Sequence, residues 1–237
     1  MHEPKPIVLD TFDQPGPLPE GWARLGTGAA AGDAAVDDAL AGVGGNPDQT
    51  TGTCLHLINF KNRRHLTGVM RAIEAPPGRN LTVAFKLAAL RQGADRIYRY
   101  RGDGDGFRIS LATPSGAEVM TVRIGAEGAV SVNGIDTGEA MPLLYWCRLR
   151  LVVDCDKHTC ALFFNDRYIA AARLPDTAAE GFAGVLFRVP DDPSSQLGLW
   201  IDDFAVYGEA VAPLQTELPG PGAPTGAFGE TTGPGHT

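Results

Sequence analysis

Short segments in which apolar and polar residues alternate with a period of two, set apart by Gly, Pro, Asn and Asp, dominate the chain. In 81–90, LTVAFKLAAL, alternation puts Leu81, Val83, Phe85 and Leu87 on one face and Thr82, Ala84, Lys86 and Ala88 on the other. The segment FRISLA repeats this, with Phe107, Ile109 and Leu111 inward and Arg108 and Ser110 outward. Between Trp146 and Cys155, the residues Cys147, Leu149, Leu151 and Val153 alternate with Arg148, Arg150 and Val152. Asn133-Gly134 is a two-residue hairpin signal, and 165–167 (Asn-Asp-Arg) marks a second turn. Helical periodicity is scarce; 33–40 reads equally as a helical turn or a surface loop. The pattern predicts about a dozen strands and an all-β, two-sheet antiparallel sandwich of the jelly-roll kind.

Length and composition narrow this picture. With 237 residues, 43% of them hydrophobic and 20% charged, the chain can bury a sizeable core as one domain. The expected division is one sandwich over 1–211 and a Pro/Gly-rich flexible tail over 212–237. A net charge of −8 supplies no global field for a polyanion, so nucleic acid is not an expected partner. No apolar run approaches membrane-spanning length, and no signal peptide opens the chain as written. The expectation is therefore a protein outside the membrane and, unless a leader has been removed, a cytoplasmic one. Four cysteines are too few for a disulfide scaffold. Cys155 and Cys160 flank Asp-Lys-His-Thr; if that is a four-residue hairpin loop they face each other at bridging distance, and otherwise they are free thiols. C-x4-C with only His158 nearby lacks the second ligand pair of a structural zinc site.

The two ends of the chain carry a family pattern. An opening LDTFD followed by Gly21-Trp22, a late pair WCRLRLVVDCDKHTCALFFNDRYIAAARLP and a closing WIDDFAVYG resemble the concanavalin A-like lectin/glucanase superfamily, in its laminin-G-like jelly-roll branch. The resemblance covers roughly residues 7 to 208. It implies that the N- and C-terminal strands lie side by side in the back sheet, that ligands meet a concave front face, and that a structural calcium often sits near the termini. Independently, Asp10, Asp13, Asp202 and Asp203 offer hard oxygen ligands on two strands expected to be neighbours. Asp203 and then Asp13 are the expected metal ligands; the alternative is that these residues are solvated charges that discourage edge-to-edge pairing.

Hydrolases of this superfamily carry paired carboxylates on one strand. No such spacing occurs here, and alternation sends Asp202 and Asp203 to opposite faces. A more suggestive stretch is 96–101, RIYRYR, where alternation groups Arg96, Tyr98 and Tyr100 on one side and Arg99 and Arg101 on the other. Aromatic faces pack against the C–H surface of a sugar and guanidinium groups grip a carboxylate. Lys86, Arg108 and His65 are expected to share that surface; the alternative is a set of solvated residues on a long loop. The functional expectation is a carbohydrate-binding domain recognising an oligo- or polysaccharide, with an acidic glycan favoured. A polysaccharide lyase or glycoside hydrolase of the same fold, and a structural or protein-interaction domain, are the rival classes.

Overall fold

The computed structural model describes residues 5–25, 41–45, 52–58, 68–91, 107–125, 128–142, 145–188 and 197–210. Among them are fifteen strands: β1 (Val8–Asp10), β2 (Trp22–Leu25), β3 (Ala41–Gly45), β4 (Thr53–Ile58), β5 (Gly68–Ala75), β6 (Leu81–Arg91), β7 (Phe107–Ala112), β8 (Glu118–Ile124), β9 (Ala129–Val132), β10 (Ile135–Ala140), β11 (Cys147–Asp154), β12 (Thr159–Phe164), β13 (Arg167–Arg173), β14 (Phe182–Arg188) and β15 (Leu197–Tyr207). One 3-10 turn, Asp176–Glu180, precedes β14. No helix among the described residues is long and apolar enough to cross a membrane.

The strands form two antiparallel sheets. An eight-stranded sheet runs β13-β12-β11-β6-β15-β4-β3, with β1 also paired to β15; a seven-stranded sheet runs β10-β9-β8-β7-β14-β5-β2. The expected junction of the chain ends is present, Val8 facing Val206 and Asp10 facing Phe204. The hairpin at Asn133-Gly134 also forms: Val132 pairs with Ile135, and both turn residues have positive φ, as a type I′ turn requires.

One face of each sheet supplies the core. Leu81, Val83, Phe85 and Leu87 of β6 meet Ile109, Leu111, Val185 and Phe187 of the other sheet in one apolar cluster. Its centre is aromatic. Phe85 meets Phe187 edge-on at 5.2 Å, and Trp22 meets Phe204 edge-on at 5.3 Å. Such pairs add about 0.5–1.5 kcal/mol beyond their buried area.

Polar ties close the sandwich at its edges. Asp10 of β1 accepts hydrogen bonds from Trp22 Nε1 at 3.0 Å and from Arg71 Nε at 2.7 Å, joining the two sheets beside the chain ends. At the opposite edge Arg167 and Glu139 form a bidentate pair at 2.8 and 2.7 Å. The cysteines depart from the facing-pair expectation. All four are free; the β11–β12 hairpin pairs Asp154 with Thr159 and Val153 with Cys160, which sends Cys160 into the core and leaves Cys155 in the turn, bonded through Sγ to the Arg79 carbonyl.

Candidate functional site

The outer face of the seven-stranded sheet, the sheet without the chain ends, carries a cross-strand row of arginines. On β7 the core takes Phe107 and Ile109, so Arg108 and Ser110 face outward; on β8 it takes Val122 and Ile124, leaving Thr121 and Arg123 outward; on β14 Phe187 is core and Arg188 is not. Register then sets Arg108 directly opposite both Arg123 and Arg188. With strands about 4.8 Å apart, the three Cα positions span about 10 Å. Like charges directly opposite one another cost stability. Arg188 is paired with Glu118 and Arg123 has an interaction of its own, so Arg108 is the exposed positive charge of this row on a chain whose net charge is −8.

A bulge brings one carboxylate to this row. Leu111 pairs with Met120 but Ala112 pairs with Glu118, so Val119 is the extra residue. Val119 and Met120 both pack in the core, and the phase change returns Glu118 to the outer face. There Ser110 Oγ donates to Glu118 Oε2 at 2.8 Å, and Arg188 Nε donates to Oε1 at 2.9 Å. Thr121 Oγ1 lies 3.2 Å from the same serine oxygen. Partial burial pushes the Glu118 carboxyl up, but hydrogen bonds from Ser110 and Arg188 and the charges of Arg188 and Arg108 outweigh it, and the group titrates below its ordinary 4.5. At neutral pH it is a charged acceptor. Arg188 is thus partly neutralised, while Arg108 is exposed at the centre of the row.

Next to Glu118 the sheet surface opens into a cleft of about 600 Å³, lined by Glu118, Val119, Asn133, Arg173, Leu174, Pro175 and Asp176. The β9–β10 turn supplies Asn133, and the end of β13 with the following link supplies the stretch from Arg173 to Asp176. Asn133 Oδ1 accepts the Thr121 backbone N–H at 2.8 Å, which anchors that side chain and leaves its NH2 as a donor.

The residues expected from sequence are distributed differently. Lys86 and Arg108 do not share a surface: β6 and β7 belong to opposite sheets, and each side chain faces away from the core. Expectations for His65, Arg96, Tyr98, Arg99, Tyr100 and Arg101 lie outside the described residues. Lys86 instead meets Asp203, Nζ to Oδ2 at 2.6 Å. Asp202 and Asp203 also depart from alternation. Asp202 pairs with Lys86 and Ala205 with Ala84, one residue out of step, and Asp203 takes a positive φ of 49° at this bulge. The two carboxylates consequently lie on the same side, beside Lys86. Burial, Asp203 and Asp13 push the Asp202 carboxyl above its ordinary 3.8, against the pull of the Asp203 backbone N–H and Lys86. Asp13 accepts a hydrogen bond from Thr11. Among the described residues no three His, Cys, Asp or Glu side chains converge as a metal site. Arg123, Arg188, Glu118, Asn133, Arg173 and Asp176 were not singled out by sequence reasoning. The outward positions in 118–124 were legible as polar, but the strand register that gathers them was not.

Comparison with known proteins supports the architecture. No family model and no curated protein matches the chain. Among solved structures, a sialidase matches over 85% of this chain with a TM-score of 0.58 at 13% identity. The carbohydrate recognition domain of Emp47p matches over 85% of this chain and 95% of its own, with a TM-score of 0.52 at 9% identity. The fold they share with this chain is a two-sheet antiparallel jelly-roll β-sandwich. This jelly roll corresponds to 18% of the sialidase chain and to nearly the whole Emp47p domain. At these identities the likeness is one of fold.

Proposed function

We propose that this jelly roll is a glycan-binding module, that its ligand is acidic, and that the ligand lies on the outer face of the seven-stranded sheet. The arginine row carries the reading. Arg108, Arg123 and Arg188 face one another across three strands, with the half-buried Thr121 hydroxyl alongside. A guanidinium presents a planar fork of donors to carboxylate or sulfate, and hydrogen bonds to charged groups are roughly twice as strong as neutral ones. The fold shared with a carbohydrate recognition domain is in keeping with this use. Glu118 also favours binding over acid catalysis, because a carboxyl that titrates below its ordinary value has no proton to give at neutral pH.

Isothermal titration with uronate-bearing and neutral oligosaccharides tests the proposal, with unsaturated products and new reducing ends monitored in the same samples. Arg108→Ala is expected to lower affinity for the acidic ligands about tenfold, a change of about 1.4 kcal/mol. Stability should change by less than about 0.5 kcal/mol, since the residue is exposed. Absence of binding by the unaltered protein would sink the proposal. Turnover of the glycans would replace it with an enzymatic role.

A further inference from the structure

The cleft beside Glu118 has a composition unlike that of the arginine row. Its lining includes the exposed Pro175 ring, the core residues Val119 and Leu174 behind it, and the polar side chains of Asn133, Arg173, Asp176 and Glu118. Neither Arg173 nor Asp176 makes a side-chain hydrogen bond or ion pair among the described residues, although only Leu174 and Pro175 separate them in the chain. An unused cation, an unused anion and the free NH2 of Asn133 therefore border one concavity. Hydroxyl groups are the ligand chemistry that satisfies all three, because each can donate to a carboxylate and accept from a guanidinium or an amide. The exposed Pro175 ring suits the C–H face of a sugar ring, and about 600 Å³ is within the range of small-ligand sites. A second acidic group would fit poorly, since Asp176 and Glu118 both present negative charge there.

We propose that this cleft is a subsite for a neutral sugar ring, continuous with the arginine row through Glu118. The ligand is then an oligosaccharide in which an acidic residue adjoins a neutral one. The acidic residue lies over Arg108, and the neutral ring enters the cleft. Glu118 stands at the boundary: Oε1 holds Arg188 and Oε2 accepts from Ser110, so its carboxylate is fixed in place while one edge borders the cleft. The inference rests on the proposed glycan-binding role, but it places selectivity in residues outside the row.

Titration calorimetry on the full chain with two probes separates these claims: glucuronate alone, and a tetrasaccharide of alternating N-acetylglucosamine and glucuronate. Unaltered protein should bind the tetrasaccharide more tightly. Asp176→Asn, which keeps an acceptor but loses its charge, should weaken tetrasaccharide binding about fivefold, and Arg173→Ala, which loses a charge-assisted hydrogen bond, more than about tenfold; both should leave glucuronate binding unchanged. Arg108→Ala should weaken both probes. The cleft proposal is overturned, with the glycan-binding role intact, if the two cleft variants keep tetrasaccharide affinity within about twofold while Arg108→Ala reduces it. It is overturned equally if the unaltered protein binds the tetrasaccharide no better than glucuronate, or if the cleft variants weaken both probes alike. Binding of neither probe would remove both proposals together. Asp176 and Arg173 are exposed, so loss of folding does not confuse the outcome; thermal melts of each variant verify this.

Discussion

The outward faces of the two sheets obey the same alternation, and both carry charge, but only one of them also buries apolar groups of its own. On the seven-stranded sheet the outward positions of β7, β8 and β14 hold arginines, hydroxyl groups and Glu118. On the eight-stranded sheet they hold two apolar groups apart from the main core: Cys54, Ala88 and Trp200 with Trp146 against them, and Val152, Ala161 and Phe163 with Tyr168. Between these groups lie charged residues: Lys86 with Asp202 and Asp203, and Arg148 and Arg150 with Asp166. Gly198 belongs to the same arrangement, because a Cβ there would stand 2.2 Å from the Trp200 ring. The contrast separates a face that buries two apolar groups of its own from one that sets Arg108, Arg123, Arg188 and Glu118 outward. Burial on both sides of β12 accounts for its unbroken apolar run CALFF, whereas β7 mixes Arg108 and Ser110 into its pattern.

Removing a packed side chain from the apolar face should show the contrast most strongly. Phe163 is fully buried, and its ring meets Tyr168 at 5.8 Å. Phe163→Ala is expected to lower unfolding free energy by about 3–5 kcal/mol in urea titrations, as a core aromatic would, and to leave glycan affinity untouched. A loss below about 1 kcal/mol would mean that the group is packed far less tightly than its burial implies.

Two carboxylates, one on each face, give the smaller effects, and with opposite sign. Glu118 titrates below its ordinary 4.5, so its ion pair and hydrogen bonds stabilise the fold above that pH and are lost as pH falls through the folded value. Glu118→Gln should accordingly be less stable than the parent near neutrality, with the gap closing below about pH 4.5. A gap of the same size at every pH would show that charge is not what Glu118 contributes. Asp202 is raised above its ordinary 3.8, so ionisation works against the fold once pH passes that value. Asp202→Asn keeps an oxygen to accept the Asp203 N–H and should raise the melting temperature slightly at neutral pH. The gain should be worth at most about 0.5 kcal/mol and should vanish in acid. A variant less stable at pH 7 would mean that attraction to Lys86 outweighs the burial and repulsion.

Local pattern disclosed much of the architecture and little of the site, for identifiable reasons. Leu81 to Leu87 kept their expected face because nothing interrupts β6, and Asn133-Gly134 turned as expected because positive φ at both positions is a local property. Bulges at Val119 and Asp203 inserted one residue each, and a single insertion reverses the side on which every later residue projects. Asp203 was misplaced by strict alternation for that cause alone, and Glu118 reaches the outer face only through its bulge. The arginine row was hidden for another. Arg188 lies far along the chain from Arg108 and meets it only through the β7–β14 register, which no stretch of either strand announces. Lys86 and Arg108 erred the other way, both outward on their own strands but on opposite sides of the molecule.

The antiparallel pairing of β1 with β15 also governs how the domain would respond to mechanical force. Val8, at the start of β1, sits beside Val206 near the end of β15, so both strand ends leave from the same side of the pair. Tension applied through these two ends opens the backbone hydrogen bonds one after another, in an unzipping geometry, instead of loading them all at once. With β1 peeled away, Asp10 is withdrawn from Arg71 and Trp22, and the tie between the two sheets is released at that edge.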